Sequence, residues 1–414
     1  MRDGKTIKAA IERQLLQSVE TISIVKLVDL FVEFAFVTRS SDIHLEPTRD
    51  AVRARFRVDG ILKDIFDKVK FSKELHHEII SRIKVLSGLR TDEHFAPQDG
   101  RFRVKMEDGQ DVDVRVSIMP TYYGENAVMR LLAETRAFSL QDLGFFPNDL
   151  LRVENAMKKS YGMILANGPT GSGKTTTLYT ILKTLNSPEV EIITIEDPIE
   201  YSLDGTTQIQ TNTQAGLTFA TGLRSILRQD PNIIMVGEIR DQETAGIAVN
   251  AALTGHLVLS TLHTNDSATT FPRLIDMGVP PFLVASTINV AMGQRLVRKL
   301  CDACKKERTL SPEEIKSMTE ALPDAEKYVD GKPQTFFSAV GCAACAAGYV
   351  GRIGVREVLE VNMEIQQLIM NRASASQIKE AAMRNGMTTM VQDGFLKAMQ
   401  GITTIEEVLR IIHE

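Results

Sequence analysis

Apolar residues show two different periodicities along the first third of the chain. They recur with helical spacing over residues 25–37 and again over residues 72–86. Elsewhere apolar and polar residues alternate, which is typical of half-buried strands. The predicted strands cover residues 42–46, 52–58 and 111–117, and a further short strand holds Arg130. This mixture predicts a small α+β domain over residues 21–132, preceded by a helical segment over residues 1–20.

The middle of the chain alternates short apolar runs with helical stretches. The apolar runs cover residues 163–165, 191–195, 233–236 and 257–260. Strands that alternate with helices in this way are typical of a parallel sheet with helices on both faces. Ligands of such sheets bind beyond the carboxyl ends of the strands. We therefore predict an α/β core over residues 143–300 with its site at that edge, and a polar linker over residues 133–142 before it.

The last third of the chain begins with a cysteine-bearing segment, residues 301–345, and continues with helical apolar spacing over residues 346–414. All four cysteines stand in two C-x-x-C pairs, Cys301 with Cys304 and Cys342 with Cys345. Each pair can supply one half of a tetrahedral thiolate site for Zn²⁺, and free thiols are the alternative. The pattern predicts a structural zinc site, with a helical excursion between the two pairs.

Composition narrows the class of protein. The chain has 414 residues, which suggests two or three domains at the usual size of about 100–200 residues. Its net charge of −5 gives no general attraction to nucleic acid or anionic lipid, so no nucleic-acid partner is predicted. No apolar run approaches the ~18 residues of a membrane span, and no apolar signal core follows the charged N-terminus. We expect a cytoplasmic protein that reaches membranes only through partners.

The strongest chemical signal is a glycine-rich stretch shortly after the first strand of the predicted core. Its residues complete the pattern G-x-x-x-x-G-K-[ST]: Gly168, Pro169, Thr170, Gly171, Ser172, Gly173, Lys174 and Thr175. In such a phosphate loop, backbone N–H groups surround phosphate oxygens at a helix N-terminus. Lys174 is expected at the β- and γ-phosphates, Thr175 at Mg²⁺, and Thr176 beside them. A tight turn is the alternative, but the flanking strand and helix favour a nucleoside triphosphate site.

Two further strands of the predicted core end in carboxylates. The third strand leads to Glu238, which we expect to hold a Mg²⁺-bound water or to polarise the attacking water. The second strand leads to Glu196, followed by Asp197 and Glu200. Among these acids we favour Glu200 and Glu196 as catalytic groups near Mg²⁺, because several carboxylates around one cation are stabilised in their charged form. Helix capping or simple solvation is the alternative for each acid.

Other candidates have a weaker signal. His263 follows the last predicted strand of the core, where it can hydrogen-bond a γ-phosphate oxygen; an ordinary core histidine is the alternative. Arg224 and Arg228 stand four residues apart in a predicted helix and share one face, which meets a nucleotide, a neighbouring subunit or surface acids. His256, just before the last predicted strand, is predicted to be an ordinary core histidine, and the other histidines, including His76 and His77, are predicted to be solvated.

These motifs belong to a longer series that resembles the secretion ATPase superfamily, and within it the type II secretion and type IV pilus assembly ATPases. The resemblance extends from Ile24 to the C-terminus. Besides the phosphate loop, its markers are SDIHLEP at 41–47, RVDG at 57–60, EDP at 196–198, LRQDP at 227–231, GEIRD at 237–241, TGH at 254–256 and QRL at 294–296. A series of this length is highly specific.

The resemblance implies a homohexamer that hydrolyses ATP at subunit interfaces and drives extrusion of a pilus or pseudopilus. It implies a RecA-like ATPase core preceded by a PAS-like α+β domain. It also implies a place at the inner face of the cytoplasmic membrane, where an inner-membrane platform protein is the partner. ATP, Mg²⁺ and Zn²⁺ are the expected cofactors.

The resemblance also assigns nucleotide contacts outside the phosphate loop. Arg115 and Arg130 match arginines of the N-terminal domain that reach the γ-phosphate when the two domains close. Arginine suits this role because its planar fork pairs with phosphate oxygens and stays charged. Arg228 and Arg273 match arginines near the nucleotide, and residues 143–144, Leu143 and Gly144, match the segment on which adenine rests.

Two alternatives to an assembly motor remain at this point. One is a retraction ATPase of the same superfamily, whose members typically lack the paired cysteines. The other is a non-hydrolysing scaffold that binds a nucleotide without releasing phosphate.

Overall fold

Helices and strands group into two units along the chain, Met1–Arg136 and Ala137–Glu414. The computed structural model describes residues 3–17, 21–66, 71–106, 109–133, 138–309, 313, 335–342, 345 and 347–413. Of the predicted linker 133–142, residues 134–137 lie outside this described part, as do residues 1–2 and 18–20 of the predicted N-terminal helical segment.

Among its described residues, the first unit contains an antiparallel sheet of six strands and three helices. The strands are β1 (Ser40–Pro47), β2 (Val52–Val58), β3 (Ile61–Asp64), β4 (Gln98–Lys105), β5 (Asp111–Thr121) and β6 (Gly124–Ala133). The helices are α1 (Gly4–Leu15), α2 (Ile24–Val37) and α3 (Lys73–Leu86). The strand order is β3-β2-β1-β6-β5-β4, and the core lies between this sheet and the helices.

Side-chain alternation explains the strands of this sheet. In β2, the apolar residues Val52, Ala54, Phe56 and Val58 are buried, and the three arginines between them lie on the opposite face. The helix α3 begins where the Ser72 hydroxyl accepts a hydrogen bond from the backbone of the first helical turn. The helices and strands predicted over residues 25–86 are confirmed.

Two predictions for the first unit are wrong. The strand that holds Arg130 is not short, because β5 continues to Thr121 and β6 pairs with it over ten residues. His76 is not solvated: it is 4% exposed, and its Nε2 lies 2.7 Å from the carbonyl oxygen of Glu125. His76 stands three and four residues before Ile79 and Ile80, which places it on the buried face of α3.

The second unit contains a larger sheet flanked by helices. Its strands are β7 (Gly162–Asn167), β8 (Ile192–Glu196), β9 (Thr207–Gln210), β10 (Ile233–Val236), β11 (Leu257–Leu262), β12 (Ile288–Leu300), β13 (Lys306–Arg308), β14 (Phe336–Ser338) and β15 (Tyr349–Glu360). Seven of them form one sheet in the order β15-β12-β7-β11-β10-β8-β9, and β13 pairs with β14. The helices are α4 (Pro147–Met157), α5 (Lys174–Leu185), α6 (Phe219–Ile226), α7 (Gln242–Leu253), α8 (Thr270–Asp276), α9 (Pro281–Thr287), α10 (Met363–Met370), α11 (Ala375–Arg384), α12 (Met390–Met399) and α13 (Ile405–His413).

The large sheet is covered on both faces. In β7, Met163 and Leu165 belong to one hydrophobic core, whereas Ile164 and Ala166 belong to a second core on the other side. Strands buried on both faces are expected to be continuous apolar runs rather than alternating ones. The predicted α/β arrangement is confirmed, although the sheet is mixed: β15 runs antiparallel to β12, and the other neighbouring strands are parallel.

The prediction of helical structure over residues 346–414 is wrong for its first part. Residues Tyr349–Glu360 form β15, and the helices begin only afterwards. Val355, Val358 and Leu359 are fully buried and stand three and four residues apart, so they imitate the spacing of a helix. A strand buried over several consecutive residues cannot be distinguished from a helix by periodicity alone.

The segment between the cysteine pairs is described only in part. Residues 310–312 and 314–334, where a helical excursion is predicted, lie outside the described residues. On either side of that stretch, β13 and β14 pair antiparallel. In the described part of the chain, no helix is both long enough and apolar enough to cross a membrane.

Candidate functional site

The glycine-rich loop lies between β7 and the first residue of α5, Lys174. Gly168, Gly171 and Gly173 have positive φ angles of 141°, 81° and 87°. Residues with a side chain rarely adopt such angles, and a Cβ atom on Gly168 would lie 2.4 Å from the carbonyl oxygen of Gln294. The shape of the loop therefore requires these glycines, and it leads into a helix N-terminus at the carboxyl edge of the sheet.

The Lys174 side chain folds over this loop. Its ammonium group donates hydrogen bonds to the carbonyl oxygens of Gly168 and Pro169, at 2.7 Å and 2.9 Å. Burial lowers the pKa of Lys174, and the negative charge of Glu238 acts in the opposite direction. The lysine is thus held over the loop, with a carboxylate close by.

Glu238 and His263 come together at the carboxyl ends of two neighbouring strands. Strands β10 and β11 are parallel; Glu238 follows β10 after Gly237, and His263 follows β11 directly. Glu238 Oε2 lies 3.2 Å from His263 Nε2, and Glu238 Oε1 lies 2.6 Å from the guanidinium group of Arg240. Glu238 itself is 9% exposed. The structure therefore brings together Lys174, Glu238 and His263, and adds Arg240, which the sequence analysis did not single out.

Gln294 braces the loop and was also missed by the sequence analysis. Its amide nitrogen donates to the carbonyl oxygen of Ser172 at 2.8 Å, and its amide oxygen accepts from the Thr177 hydroxyl at 3.0 Å. Gln294 is completely buried on β12, the strand next to β7. Its only signal in the sequence is its place in the QRL marker, which does not reveal what the side chain contacts.

The two favoured acids near the end of β8 have different surroundings. Glu196 is 3% exposed and accepts hydrogen bonds from the Tyr179 hydroxyl, from Thr194 Oγ1 at 2.7 Å and from Gln208 Nε2 at 3.1 Å. Burial raises the pKa of Glu196, although the three hydrogen bonds act in the opposite direction. Both of its oxygens are engaged inside the protein, which favours a structural role over a place near Mg²⁺. Glu200 is half-buried.

The arginines predicted near the nucleotide in the second unit lie on its surface. Arg228 is exposed just after α6, and its guanidinium group donates to the carbonyl oxygen of Arg224 at 2.9 Å. Arg224 itself forms an ion pair with Glu243 at 2.5 Å, which agrees with the surface alternative for that residue. Arg273 is exposed on α8.

The segment predicted to support adenine is fixed to β15. The carbonyl oxygen of Leu143 accepts a hydrogen bond from the buried Arg356 side chain. The Arg356 guanidinium group also lies 4.4 Å from the centre of the Phe145 ring. Burial lowers the pKa of Arg356 to about 10, although the charge of Asp393 acts in the opposite direction. Gly144, with φ 83°, lies against Ile353, where a Cβ atom would come within 2.7 Å.

Arg115 and Arg130 stand in one cross-strand row of the first unit's sheet. The register pairs Arg101 with Arg115, Arg115 with Arg130, Arg130 with Asp42, and Asp42 with Arg57. Asp42 is 3% exposed, and its oxygens lie 2.8 Å from Arg130 Nε and 3.4 Å from Arg57 Nε. Burial raises the pKa of Asp42, but the hydrogen bonds from Arg130 and Ser41, together with the charges of Arg130 and Arg57, outweigh burial and hold this pKa below its usual value. A row of four arginines and one carboxylate attracts anions.

The four cysteines meet at one place. Their sulfur atoms all lie within 4.8 Å of one another. The Sγ atoms of Cys301 and Cys342 are 3.9 Å apart. The Sγ atom of Cys345 lies 3.6 Å from the Sγ atom of Cys304 and 3.6 Å from that of Cys342. A regular tetrahedron of sulfurs bound to zinc at about 2.3 Å has edges of about 3.8 Å. The cluster therefore fits a four-thiolate zinc site.

The chain is similar to several characterised proteins. Type II secretion system protein E of Xanthomonas campestris pv. campestris is 46% identical over 394 residues, covering 94% of this chain and 68% of that protein. Type IV pilus assembly ATPase PilB of Myxococcus xanthus is 45% identical over 400 residues, covering 96% and 69%. Among solved structures, the pilus retraction motor PilT with bound ADP has a TM-score of 0.63 and 26% identity, covering 92% of this chain and 96% of that one.

The family model described as type II/IV secretion system protein matches residues 17–410, nearly the whole chain. The two sequence relatives described above are named as a secretion protein and a pilus assembly ATPase. The residues that the family model matches include the phosphate loop, Glu238 and His263. The chain therefore belongs to the type II/IV secretion system protein family.

Proposed function

We propose that this chain hydrolyses ATP, as a homohexamer, to power assembly of a type IV pilus or a type II secretion pseudopilus. The observation that carries the proposal is the meeting of Lys174, Glu238 and His263 at the carboxyl edge of the sheet. Cleavage of ATP needs mainly positioning and charge neutralisation, which such a group of side chains supplies. The names of the relatives support the biological setting.

In the proposed reaction, the loop binds the triphosphate and Lys174 exchanges its bonds to the loop carbonyls for bonds to the β- and γ-phosphates. Mg²⁺ bound with ATP supplies positive charge at the phosphates, and Thr175 and Glu238 would hold it. Glu238 is also placed to polarise the attacking water, and Glu200 is a second catalytic carboxylate near Mg²⁺. His263, whose Nε2 contacts Glu238, hydrogen-bonds a γ-phosphate oxygen.

Arginines complete the proposed site. Arg115 and Arg130 stabilise the negative charge of the γ-phosphate during cleavage, for which the positive row on their sheet is suited. Arg228 and Arg273 contact the nucleotide from the second unit. Residues 143–144 support adenine, and their attachment to β15 favours a fixed platform.

The proposed organisation assigns a part to each region of the chain. A PAS-like domain over residues 21–132 precedes a RecA-like core over residues 143–300, and the cysteine cluster holds a structural Zn²⁺ within residues 301–345. The hexamer works in the cytoplasm, at the inner face of the cytoplasmic membrane, against an inner-membrane platform protein. No nucleic acid takes part.

A retraction motor is the second candidate, and the similarity to PilT favours it specifically. The cysteine cluster supports assembly instead, because retraction members typically lack the paired cysteines. Elemental analysis of the purified protein separates the two candidates: about one zinc per chain supports assembly, and its absence favours retraction.

Steady-state phosphate release tests the proposed activity. The wild-type protein is expected to hydrolyse ATP with Mg²⁺, and Glu238→Gln to lose about 10²-fold or more, because it keeps the size of the side chain but removes its charge. Glu243→Gln, an exposed acid on the neighbouring helix α7, is the matched control and is expected to retain activity. Equal, background-level release by the wild type and Glu238→Gln would defeat the enzyme proposal and favour the nucleotide-binding scaffold.

A further inference from the structure

A buried polar network joins α5 to the acid-bearing segment that follows β8. At its centre, the Tyr179 hydroxyl on α5 donates a hydrogen bond to Glu196 Oε2. Thr194 Oγ1 and Gln208 Nε2 donate to the other oxygen, Oε1, at 2.7 Å and 3.1 Å. Tyr179 and Glu196 are 0% and 3% exposed. The reaction proposed above assigns no step to either residue.

The same tyrosine contacts the backbone on which Glu200 stands. The backbone nitrogen of Glu200 lies 3.4 Å from the Tyr179 hydroxyl oxygen and donates to it. The ring of Tyr201, the next residue, packs edge-on against the Tyr179 ring, with 4.6 Å between centroids and 76° between planes. Gln208 Nε2 donates to the carbonyl oxygen of Tyr201 at 3.2 Å. One small hydrogen-bond network therefore holds the backbone here at two groups, the N–H of Glu200 and the carbonyl oxygen of Tyr201.

Glu196 determines which way the Tyr179 hydroxyl points. A phenol carries a single hydrogen, so donation to Glu196 leaves only oxygen lone pairs towards the Glu200 N–H. Burial raises the pKa of Tyr179, and the Glu196 charge raises it further, so the hydroxyl remains a donor. The two hydrogen bonds point in the same direction, and bonds in such a chain strengthen each other.

We propose that Tyr179, oriented by Glu196, is a positioning residue that fixes Glu200 relative to the phosphate loop. The inference rests on the proposed function, because it takes Glu200 as a catalytic carboxylate near Mg²⁺. Helix α5 begins with Lys174 and carries Tyr179 five residues later, about 7.5 Å along the helix axis. One rigid helix thus bears both the phosphate-binding lysine and the anchor of Glu200, and a displacement of about 1 Å at a reacting group can slow a reaction about 10²-fold.

Tyr179→Phe tests this inference, because it removes the hydroxyl and keeps the ring that packs against Tyr201. We expect kcat to fall about tenfold or more while the Kd for ATP stays within about twofold, since the loop contacts are unchanged. Glu196→Gln is also expected to lower kcat, because the amide can turn its N–H towards the phenol and disturb the orientation of the Tyr179 hydroxyl. Tyr349→Phe is the matched control: it also loses a buried hydroxyl, 3.0 Å from Thr404 Oγ1, and is expected to keep its kcat.

A second comparison uses Glu200→Gln as the background, measured by single turnover with protein in excess. Adding Tyr179→Phe there is expected to cause a smaller further loss than in the wild type, because the group it positions is already neutralised. The inference is overturned by an equal loss in both backgrounds, by a Kd that weakens in proportion to kcat, or by a kcat that matches Tyr349→Phe.

Different experimental results would overturn the inference and the proposed function. A wild-type protein that releases no phosphate would overturn both. If turnover falls in Glu238→Gln but is unchanged in Tyr179→Phe, only the positioning role of Tyr179 is overturned.

Discussion

The buried charged side chains of the second unit include Asp149, Arg356, Asp393 and Lys397. Lys397 Nζ donates to Asp393 Oδ2 at 2.6 Å, and the backbone N–H of Arg356 donates to the same carboxyl oxygen at 3.2 Å. Buried charges are tolerated when they are paired and hydrogen-bonded in this way. Burial raises the pKa of Asp149 to about 6 even though the nearby Arg152, at 3.0 Å, favours its charged form. Asp149 is therefore a side chain whose ionisation works against folding near neutral pH.

The pKa of Asp149 predicts a specific pH dependence of stability. In the folded protein this carboxyl keeps its proton up to about pH 6, above its ordinary pKa of 3.8. The stability contributed by the protonated form is present below pH 3.8 and is lost as the pH rises through about 6. Asp149→Asn stays neutral, so it is expected to exceed the wild type in free energy of unfolding by up to about 3 kcal/mol at pH ~7.5, and by little at pH ~4.

Urea denaturation at the two pH values measures this difference. Asp276→Asn, which alters an exposed carboxylate at the end of α8, is the control and is expected to follow the wild type at both pH values. A difference between Asp149→Asn and the wild type that is the same at both pH values would contradict the raised pKa of Asp149.

Motif residues could be predicted from the sequence, and the residues that support them could not. Lys174 and Glu238 stand at fixed places in patterns whose chemistry is known, so their types and spacing were sufficient to name them as candidates. Gln294 reaches Thr177 across 117 residues of sequence, and only the folded sheet brings them together. Glu196 has the residue type of a metal ligand, but the donors that surround it are visible only in the structure.

At the scale of elements, the short strands that alternate with helices were predicted well, and β15, at the edge of the large sheet, was not. Strands β10 and β11 are short apolar runs that alternate with helices, and they were found where predicted. Strand β15 escaped prediction because its burial on both faces removes the alternation that marks a strand, and Arg356 and Glu357 interrupt the apolar run. Buried charges need partners, and distant elements of the chain supply them here. A local sequence pattern does not show these partners.

Strand β12 links the phosphate loop to the cysteine cluster, since it carries Gln294 and ends at Leu300, directly before Cys301. Cys301→Ser is expected to lower zinc content and the melting temperature together, because binding of a structural metal contributes to folding. A chelator should lower the melting temperature of the wild type and change that of Cys301→Ser much less. Elemental analysis and thermal melting check this; retained zinc with unchanged melting would contradict a structural site.

At the scale of the whole molecule, the chain carries an arginine row in one unit and the phosphate loop in the other. It spans about two thirds of the length of the relatives compared above, 68% and 69%. Family membership was predictable because the markers extend over both units, whereas the mixed sheet and the C-terminal strand emerged only from the folded chain. The proposed function depends on a nucleotide being bound at the loop of the second unit.

Calorimetric titration with a non-hydrolysable ATP analogue and Mg²⁺ tests that central claim most directly. The wild type is expected to bind the analogue, and Lys174→Ala to bind it about tenfold more weakly or worse, because the ammonium group that meets the phosphates is gone. Lys158→Ala, an exposed lysine just after α4, is the matched control and is expected to bind as the wild type does. A wild type without measurable binding, or a Lys174→Ala protein with undiminished affinity, would contradict the account.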